Sequence, residues 1–205
     1  MPVFGLTGDL NCGKSTALML FKRKGACIFD VDKKIHEYYK DKKSVIFKKI
    51  SVLFPQAVKK SKIDRKKLGQ MVFSDNTKLK KLERIVHPAA IRDLKLWIKK
   101  AKKTNKIYIA EVPLLFEKKL ESMFDGTILI YAEKDVLLKR IKNKLKLSKA
   151  AAIKRLSAFK PVSEKSEKAD FIINNSFGKE TLKREIDILW ENLNYNFEGE
   201  NKTNG

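Results

Sequence analysis

Eight consecutive residues near the start of the chain have the types and spacing needed to hold a phosphate group. The segment from Gly8 to Ser15 fits the pattern G-x-x-x-x-G-K-[S/T], and Thr16 follows it directly. Gly8 and Gly13 allow the backbone to bend tightly, so that successive N–H groups can surround an anion. Lys14 can place its ammonium between the outer phosphates of a nucleotide, and the Ser15 hydroxyl can bind Mg²⁺. The pattern predicts the phosphate-binding loop of an ATP- or GTP-using protein.

The residues on either side of this loop predict the elements that must position it. Residues 2–7 form a run typical of a buried strand, and Leu18 and Phe21 have helical spacing within residues 15–24. A helix that follows a strand and a glycine loop points its N-terminus at the phosphate. A glycine-rich turn that precedes a lysine by chance is the alternative, and the two flanking elements disfavour it.

Further apolar runs alternate with helical patterns, which predicts an α/β fold. The final helix is expected over residues 180–193. Four more strands are predicted at residues 26–30, 107–112, 126–131 and 170–174.

Carboxylates at the ends of these strands are candidates for acid–base and metal chemistry. Asp30 ends the second predicted strand and Asp32 opens the next helix, at the edge where open α/β sheets place ligands. Either aspartate could instead be a helix N-cap, and the sequence leaves open which one faces a substrate. Glu111 could bind Mg²⁺ through water beside the loop, although solvation of a strand end explains it equally well. His36 is interpreted as a packing or orienting residue.

Residues 40–103 lack strand patterns and predict a mostly helical insertion. Pro88 is expected to separate its last two helices, because the residue before a proline disfavours the helical conformation. Later in the chain, Arg140 and Lys144 share a helix face, and with Arg155 they could close over phosphates as a lid or form an ordinary solvated surface. The helices of the insertion are expected at residues 44–54, 65–73, 77–86 and 89–103.

The composition narrows the class of protein further. The 205 residues carry a formal net charge of +22, yet 39 of the 46 basic residues are lysines spread over many predicted helix faces. Because arginine is the better residue for base and bidentate phosphate recognition, we expect non-specific adhesion to nucleic acid at low salt rather than specific binding. No apolar run approaches the ~20 residues of a membrane span, and the chain begins directly with a predicted strand.

The two cysteines, Cys12 and Cys27, are too few for a disulfide framework and favour a reduced, cytoplasmic protein. Cys12 precedes a predicted helix N-terminus, a setting that lowers the pKa of a thiol. The sequence therefore predicts a reactive Cys12 that nucleotide would protect.

Several ordered motifs besides the loop resemble the dephospho-coenzyme A kinase family, from about Val3 to Leu193. Asp30-Val31-Asp32-Lys33 is similar to the family's D-A-D segment, and Ile63-Asp64-Arg65 to its L-D-R segment. The remaining matches include Leu82-Glu83 before His87-Pro88, the run from Val112 to Glu117, and the run from Ala169 to Ile173 with Asn175.

This resemblance implies transfer of the ATP γ-phosphoryl group, with Mg²⁺, to the ribose 3′-hydroxyl of dephospho-coenzyme A. It implies a P-loop NTPase-type three-layer fold with a five-stranded parallel sheet, a helical substrate-binding insertion and a lid. Asp32 matches the family's general base, Arg140 a lid arginine, and residues 11–16, including Asn11 and Cys12, its ATP-binding segment, with Asn175 in the last motif. The expected division is a nucleotide-binding core at 1–39 and 104–194, a lid at about 140–168, a substrate domain at 40–103 and a disordered tail at 195–205.

The chain departs from the family pattern at four positions. The family usually has glycine where this chain has Asp9 and Asn11, arginine at Lys144 and glutamine at Phe159. If the Asp9 carboxylate faces the triphosphate, affinity is expected to fall, since like charges repel strongly in a partly dry site. A nucleotide or sugar kinase, or a nucleic-acid-binding protein that uses the loop as a switch, stays open as an alternative.

Overall fold

The computed structural model describes residues 2–101, 105–145, 148–157 and 159–203, with the side chains of residue 154 and residues 196–203 left undescribed. The chain divides into two compact units. The first comprises Met1–Phe29 and Ile98–Gly205, and the second comprises Asp30–Trp97. The predicted division placed the boundary that follows Phe29 about ten residues later, and the boundary that follows Trp97 about six residues later.

A parallel five-stranded sheet forms the centre of the first unit, in the order β2-β5-β1-β6-β7. All six residues of β1 are buried, because this strand is central and pairs in parallel with β5 on one side and β6 on the other. The strands are β1 (Val3–Gly8), β2 (Cys27–Asp30), β5 (Tyr108–Glu111), β6 (Gly126–Tyr131) and β7 (Phe171–Asn174). This agrees with the predicted α/β fold.

Helices on the sheet complete the first unit. Helix α1 follows the phosphate loop and packs with α9 against the sheet, burying Phe21, Leu182 and Ile186 in one apolar core. Helix α8 was not predicted, since its five residues are too few for a periodic pattern. The helices are α1 (Lys14–Arg23), α6 (Lys134–Leu145), α7 (Lys149–Leu156), α8 (Val162–Ser166) and α9 (Lys179–Thr203), with a 3-10 turn at Glu121–Met123.

The second unit is mostly helical and has its own apolar core around Phe47, Ile50 and Phe54. It also contains a short antiparallel pair, β3 and β4, which was not predicted within the mostly helical segment because each strand has only two residues. Its elements are α2 (Val31–Tyr38), α3 (Val45–Leu53), a 3-10 turn (Pro55–Ala57), β3 (Val58–Lys59), β4 (Lys62–Ile63), α4 (Arg65–Phe73) and α5 (Asn76–Ala101), whose last residues enter the first unit.

Two predicted boundaries differ from the structure. The expected break at Pro88 was wrong, since α5 is one helix of 26 residues with Pro88 inside it. Val86 and Ala89, on either side of the proline, are both buried in the core of the second unit, so packing holds both halves of the helix in place. At the end of the chain, α9 continues to Thr203, although residues 195–205 were expected to be disordered.

Candidate functional site

The phosphate loop connects β1 to α1 through backbone conformations that most residues avoid. Gly8 has φ 148°, Asn11 φ 59° and Gly13 φ 109°. Asparagine tolerates the left-handed conformation better than most residues, which explains how Asn11 can adopt its positive φ. Positive φ angles interspersed with negative ones turn successive N–H groups toward one side, as an anion-binding loop requires.

Close neighbours make both glycines of the loop necessary. A Cβ added at Gly8 would lie 2.0 Å from the Ile130 carbonyl oxygen, and one at Gly13 would lie 2.2 Å from Asn175 Nδ2. The Ile130 oxygen belongs to the backbone and cannot move aside, and the Asn175 amide could move only by losing its hydrogen bond to Cys12. The spacing of the two glycines is therefore fixed by packing as well as by phosphate binding.

Lys14 lies in the first turn of α1 with its ammonium turned onto the loop. Its Nζ donates to the carbonyl oxygens of Gly8 at 3.0 Å and of Asp9 at 2.9 Å. The side chain is buried, and these two backbone acceptors are neutral. The lysine charge is thus available to an anion in the loop.

Ser15, in the first turn of α1, meets Glu111, the last residue of β5. The Ser15 hydroxyl donates to Glu111 Oε1 at 3.3 Å, while Glu111 itself is buried. A hydroxyl beside a carboxylate is an oxygen donor set that suits Mg²⁺. Among the described residues no group of three or more His, Cys, Asp or Glu could hold a metal ion, so the fit here is to a metal that keeps water and phosphate ligands.

Asn175, which follows β7, joins the far side of the sheet to the loop. Its side-chain Nδ2 donates to the main-chain carbonyl of Cys12 at 2.7 Å. Its main-chain carbonyl accepts from Arg140 Nη2 at 2.8 Å. Three residues that the sequence analysis selected separately are therefore connected in one unit.

Two buried donors in this region lack a hydrogen-bond partner among the described residues. They are Asn11 Nδ2 and Arg140 Nη1. Buried polar groups in folded proteins are nearly always satisfied, so donors left without an acceptor are positions where a ligand oxygen would be expected. An anion in the loop fits this requirement.

The expectation of a reactive Cys12 was wrong. The side chain is fully buried in the apolar core of the first unit. Burial raises the pKa of the Cys12 thiol and outweighs the lowering by Lys14. A position before a helix N-terminus did not decide the pKa, because the side chain points into the core.

The chain is similar to known proteins along most of its length. The family model described as dephospho-CoA kinase matches residues 2–180. This chain belongs to the dephospho-CoA kinase family. The resemblance found in the motifs, the kinase class and the P-loop α/β fold are thereby confirmed.

Three relatives show the extent of the similarity. A dephospho-CoA kinase of Bartonella quintana is 34% identical over 194 residues, covering 94% of this chain and 98% of the relative. One of Fusobacterium nucleatum is 35% identical over 192 residues, covering 93% and 98%. The solved structure of a dephospho-CoA kinase from Campylobacter jejuni is 30% identical with a TM-score of 0.65, covering 93% of this chain and 96% of that one.

In this member of the dephospho-CoA kinase family, a buried charge cluster surrounds Asp9. Lys165 Nζ lies 2.5 Å from Asp9 Oδ1, 3.5 Å from Glu117 Oε1 and 5.3 Å from the centre of the Phe159 ring. The sequence analysis considered Asp9 only as a repulsive charge and missed Lys165 entirely. Lys165 is one of 39 lysines, and its neighbours in the sequence do not distinguish it from the exposed ones.

Asp30, the last residue of β2, and Asp32 have different surroundings in the second unit. Asp30 caps α2, with Oδ1 accepting from the Lys33 N–H at 2.8 Å, so the helix begins one residue earlier than expected. Asp32 is exposed in the first turn of α2. This arrangement gives the structural role to Asp30 and leaves the Asp32 carboxylate at the surface of its unit.

His36 follows Asp32 by one helical turn and is half-buried. Burial lowers the pKa of His36, the nearby Arg65 lowers it further, and Asp32 opposes the change. Burial also raises the pKa of the neighbouring Tyr39 to about 12. Both side chains are therefore neutral near pH 7, which is consistent with a packing role for His36.

The remaining predicted residues lie at the surface or near it. Thr16 and Lys144 are exposed, and Arg155 is half-buried in α7. Arg140, one of the basic residues assigned to a lid, contacts the loop region through Asn175. No helix in the described part of the chain is long and apolar enough to cross a bilayer.

Proposed function

We propose that this chain transfers the γ-phosphoryl group of ATP to the ribose 3′-hydroxyl of dephospho-coenzyme A. The observation that carries the proposal is the family match over residues 2–180, which includes the complete phosphate loop. The loop geometry supports the same assignment, since its glycines, lysine and unsatisfied donors all suit a polyanion.

The triphosphate would bind at the loop through backbone N–H groups and the Lys14 ammonium. Lys14 now donates to two backbone carbonyls, and phosphate oxygens would be stronger acceptors because they are charged. Asn11 and Arg140 would supply further donors. Asn175 would hold the loop through Cys12, while Thr16 is exposed next to Ser15 and available to the nucleotide.

Mg²⁺ would be held by the Ser15 hydroxyl, with Glu111 contacting it through water. When bound, the ion neutralises charge on the phosphate oxygens as the phosphoryl group moves. The hydrogen bond between these two side chains holds their oxygen atoms next to each other beside the loop.

Asp32 would act as the general base and Arg140 would stabilise negative charge. A ribose hydroxyl is a poor nucleophile, and a carboxylate within hydrogen-bond reach can orient it and accept its proton. The exposed position of Asp32 in the first turn of α2 supports this role, because the carboxylate is accessible to a substrate. The helical segment 40–103 would bind the acceptor, and the helices within 140–168 would cover the nucleotide.

We further propose a cytoplasmic enzyme without a specific nucleic-acid partner. Both cysteines are free thiols, which suits a reducing compartment. The lysine excess would serve as a solvated surface, since it is spread over many helices rather than concentrated in one groove.

A coupled assay for ADP release tests the function. Dephospho-coenzyme A should give rapid ADP release and a product that is heavier by one phosphoryl group. The 3′-deoxy analogue of dephospho-coenzyme A should give background release, because it lacks the acceptor oxygen. A panel of nucleosides, nucleoside monophosphates and sugars serves as the control, and a better acceptor in that panel would overturn the proposal.

A further inference from the structure

Lys165 is a buried cation in a chain whose lysines are otherwise mostly on the surface. Its side chain is 1% exposed, and its ammonium lies between the carboxylates of Asp9 and Glu117. Burying an unpaired ammonium is strongly unfavourable, so this lysine depends on both acidic partners. The pair joins the phosphate loop to α8, which lies 156 positions later.

The charges of this cluster bear directly on the phosphate loop. Asp9 belongs to the loop, and its main-chain carbonyl accepts from Lys14 Nζ at 2.9 Å. Two carboxylates and one ammonium give the cluster a net charge of −1. Without Lys165 the same cluster would carry −2 beside the position of a polyanion, in surroundings where water screens poorly.

We propose that Lys165 is the positioning residue that makes this loop compatible with a triphosphate. It binds Asp9 away from the phosphate position and cancels one negative charge, so that an aspartate can be accommodated within the loop. The inference rests on the proposed function in one respect, namely that the loop binds ATP. It assigns to Lys165 a part in nucleotide affinity and none in proton transfer.

Three variants change the cluster charge in known steps. Lys165→Met retains most of the side-chain volume and gives −2, Asp9→Asn gives 0, and the double variant returns to −1. If charge decides affinity, ATP should bind most tightly to Asp9→Asn, equally to the wild type and the double variant, and most weakly to Lys165→Met. We expect the Kd for ATP to change about tenfold for each unit change in the cluster charge, as for a unit charge at roughly 10 Å in a partly screened site.

The measurement is ATP binding by titration calorimetry without any acceptor. Lys168→Met, which removes an exposed lysine two residues past α8, is the matched control and should bind ATP as the wild type does. The loss in Lys165→Met should be smaller for ADP and smaller still for AMP, because fewer charges are repelled. A merely structural role would weaken all three nucleotides alike.

Specific outcomes would overturn the inference. If the double variant binds ATP as weakly as Lys165→Met, or if the loss is equal for ATP, ADP and AMP, charge compensation is wrong. If Lys165→Met does not fold, the double variant is compared with Asp9→Asn instead. The double variant must then bind ATP about tenfold more weakly than Asp9→Asn does. A wild type that binds ATP but does not phosphorylate dephospho-coenzyme A would refute the proposed function alone.

Discussion

The side-chain amide of Asn175 donates to the backbone carbonyl of Cys12 at 2.7 Å, across 163 positions of sequence. The contact joins the residue after β7 to the middle of the phosphate loop. It leaves no space at Gly13, where an added Cβ would lie 2.2 Å from the same amide nitrogen. One side chain from a distant part of the sequence thus holds the loop.

This contact predicts that Gly13→Ala harms the protein more than its backbone angle alone would. Gly25 provides a matched control, since its φ of 108° is close to the 109° of Gly13 and nothing lies within 4 Å of its added Cβ. The strained angle should cost about 1–3 kcal/mol in both variants. We expect Gly13→Ala to lose additional stability and at least tenfold in ATP affinity, since the loop must move. Thermal unfolding and calorimetric ATP binding are the measurements, and equal behaviour of the two variants would show that Asn175 is not a constraint.

Lys14→Met should lower kcat by at least about 100-fold while the protein remains folded. The methylene stem is conserved in this variant, so packing in the first turn of α1 is maintained. Only the ammonium is lost, and its present acceptors are two backbone carbonyls rather than a buried carboxylate. Turnover should be measured beside thermal unfolding. Normal turnover with a normal unfolding temperature would exclude the loop from the mechanism.

Cys12 should resist alkylation in the folded protein. Its pKa is raised by burial, so at pH 7 to 8 the reactive thiolate is scarcer than for an ordinary cysteine. Cys27 is half-buried and serves as the internal control, and it should be labelled first by iodoacetamide. Peptide mass spectrometry after timed labelling distinguishes the two sites. Faster labelling of Cys12 than of Cys27, with nucleotide protecting it, would restore the reactive thiol that the sequence had predicted.

The sequence predicted the parts of the fold that depend on local pattern. The buried run of β1 and the glycine loop are both local signals, and the structure has each of them nearly where it was expected. The loop residues Lys14 and Ser15 could be selected because their chemistry requires a fixed spacing. Glu111, which accepts from Ser15, was selected as a strand end, and Asn175, which donates to Cys12, was selected from the family resemblance.

What the sequence could not predict depends on tertiary packing. Pro88 is a helix breaker by local rule, yet the core of the second unit holds α5 together on both sides of it. Cys12 has the local setting of a reactive thiol, but its side chain points into the core. Lys165 looks like any surface lysine until α8 is folded onto the loop, which places its ammonium next to Asp9. In each case a distant contact outweighs the local preference.

The mechanism depends most on the assignment of the general base to Asp32 rather than Asp30. Asp30 accepts the Lys33 N–H as the cap of α2, and asparagine caps helices equally well. Asp30→Asn should therefore retain stability and most of kcat. Asp32→Asn removes the proton acceptor while preserving the size of the side chain, so we expect ATP affinity near that of the wild type and a kcat lower by ~10²–10⁴-fold. Both variants should be assayed for kcat with dephospho-coenzyme A and independently for ATP binding. If Asp30→Asn loses kcat and Asp32→Asn retains it, the base belongs to the other carboxylate, and the cap of α2 is the catalytic group.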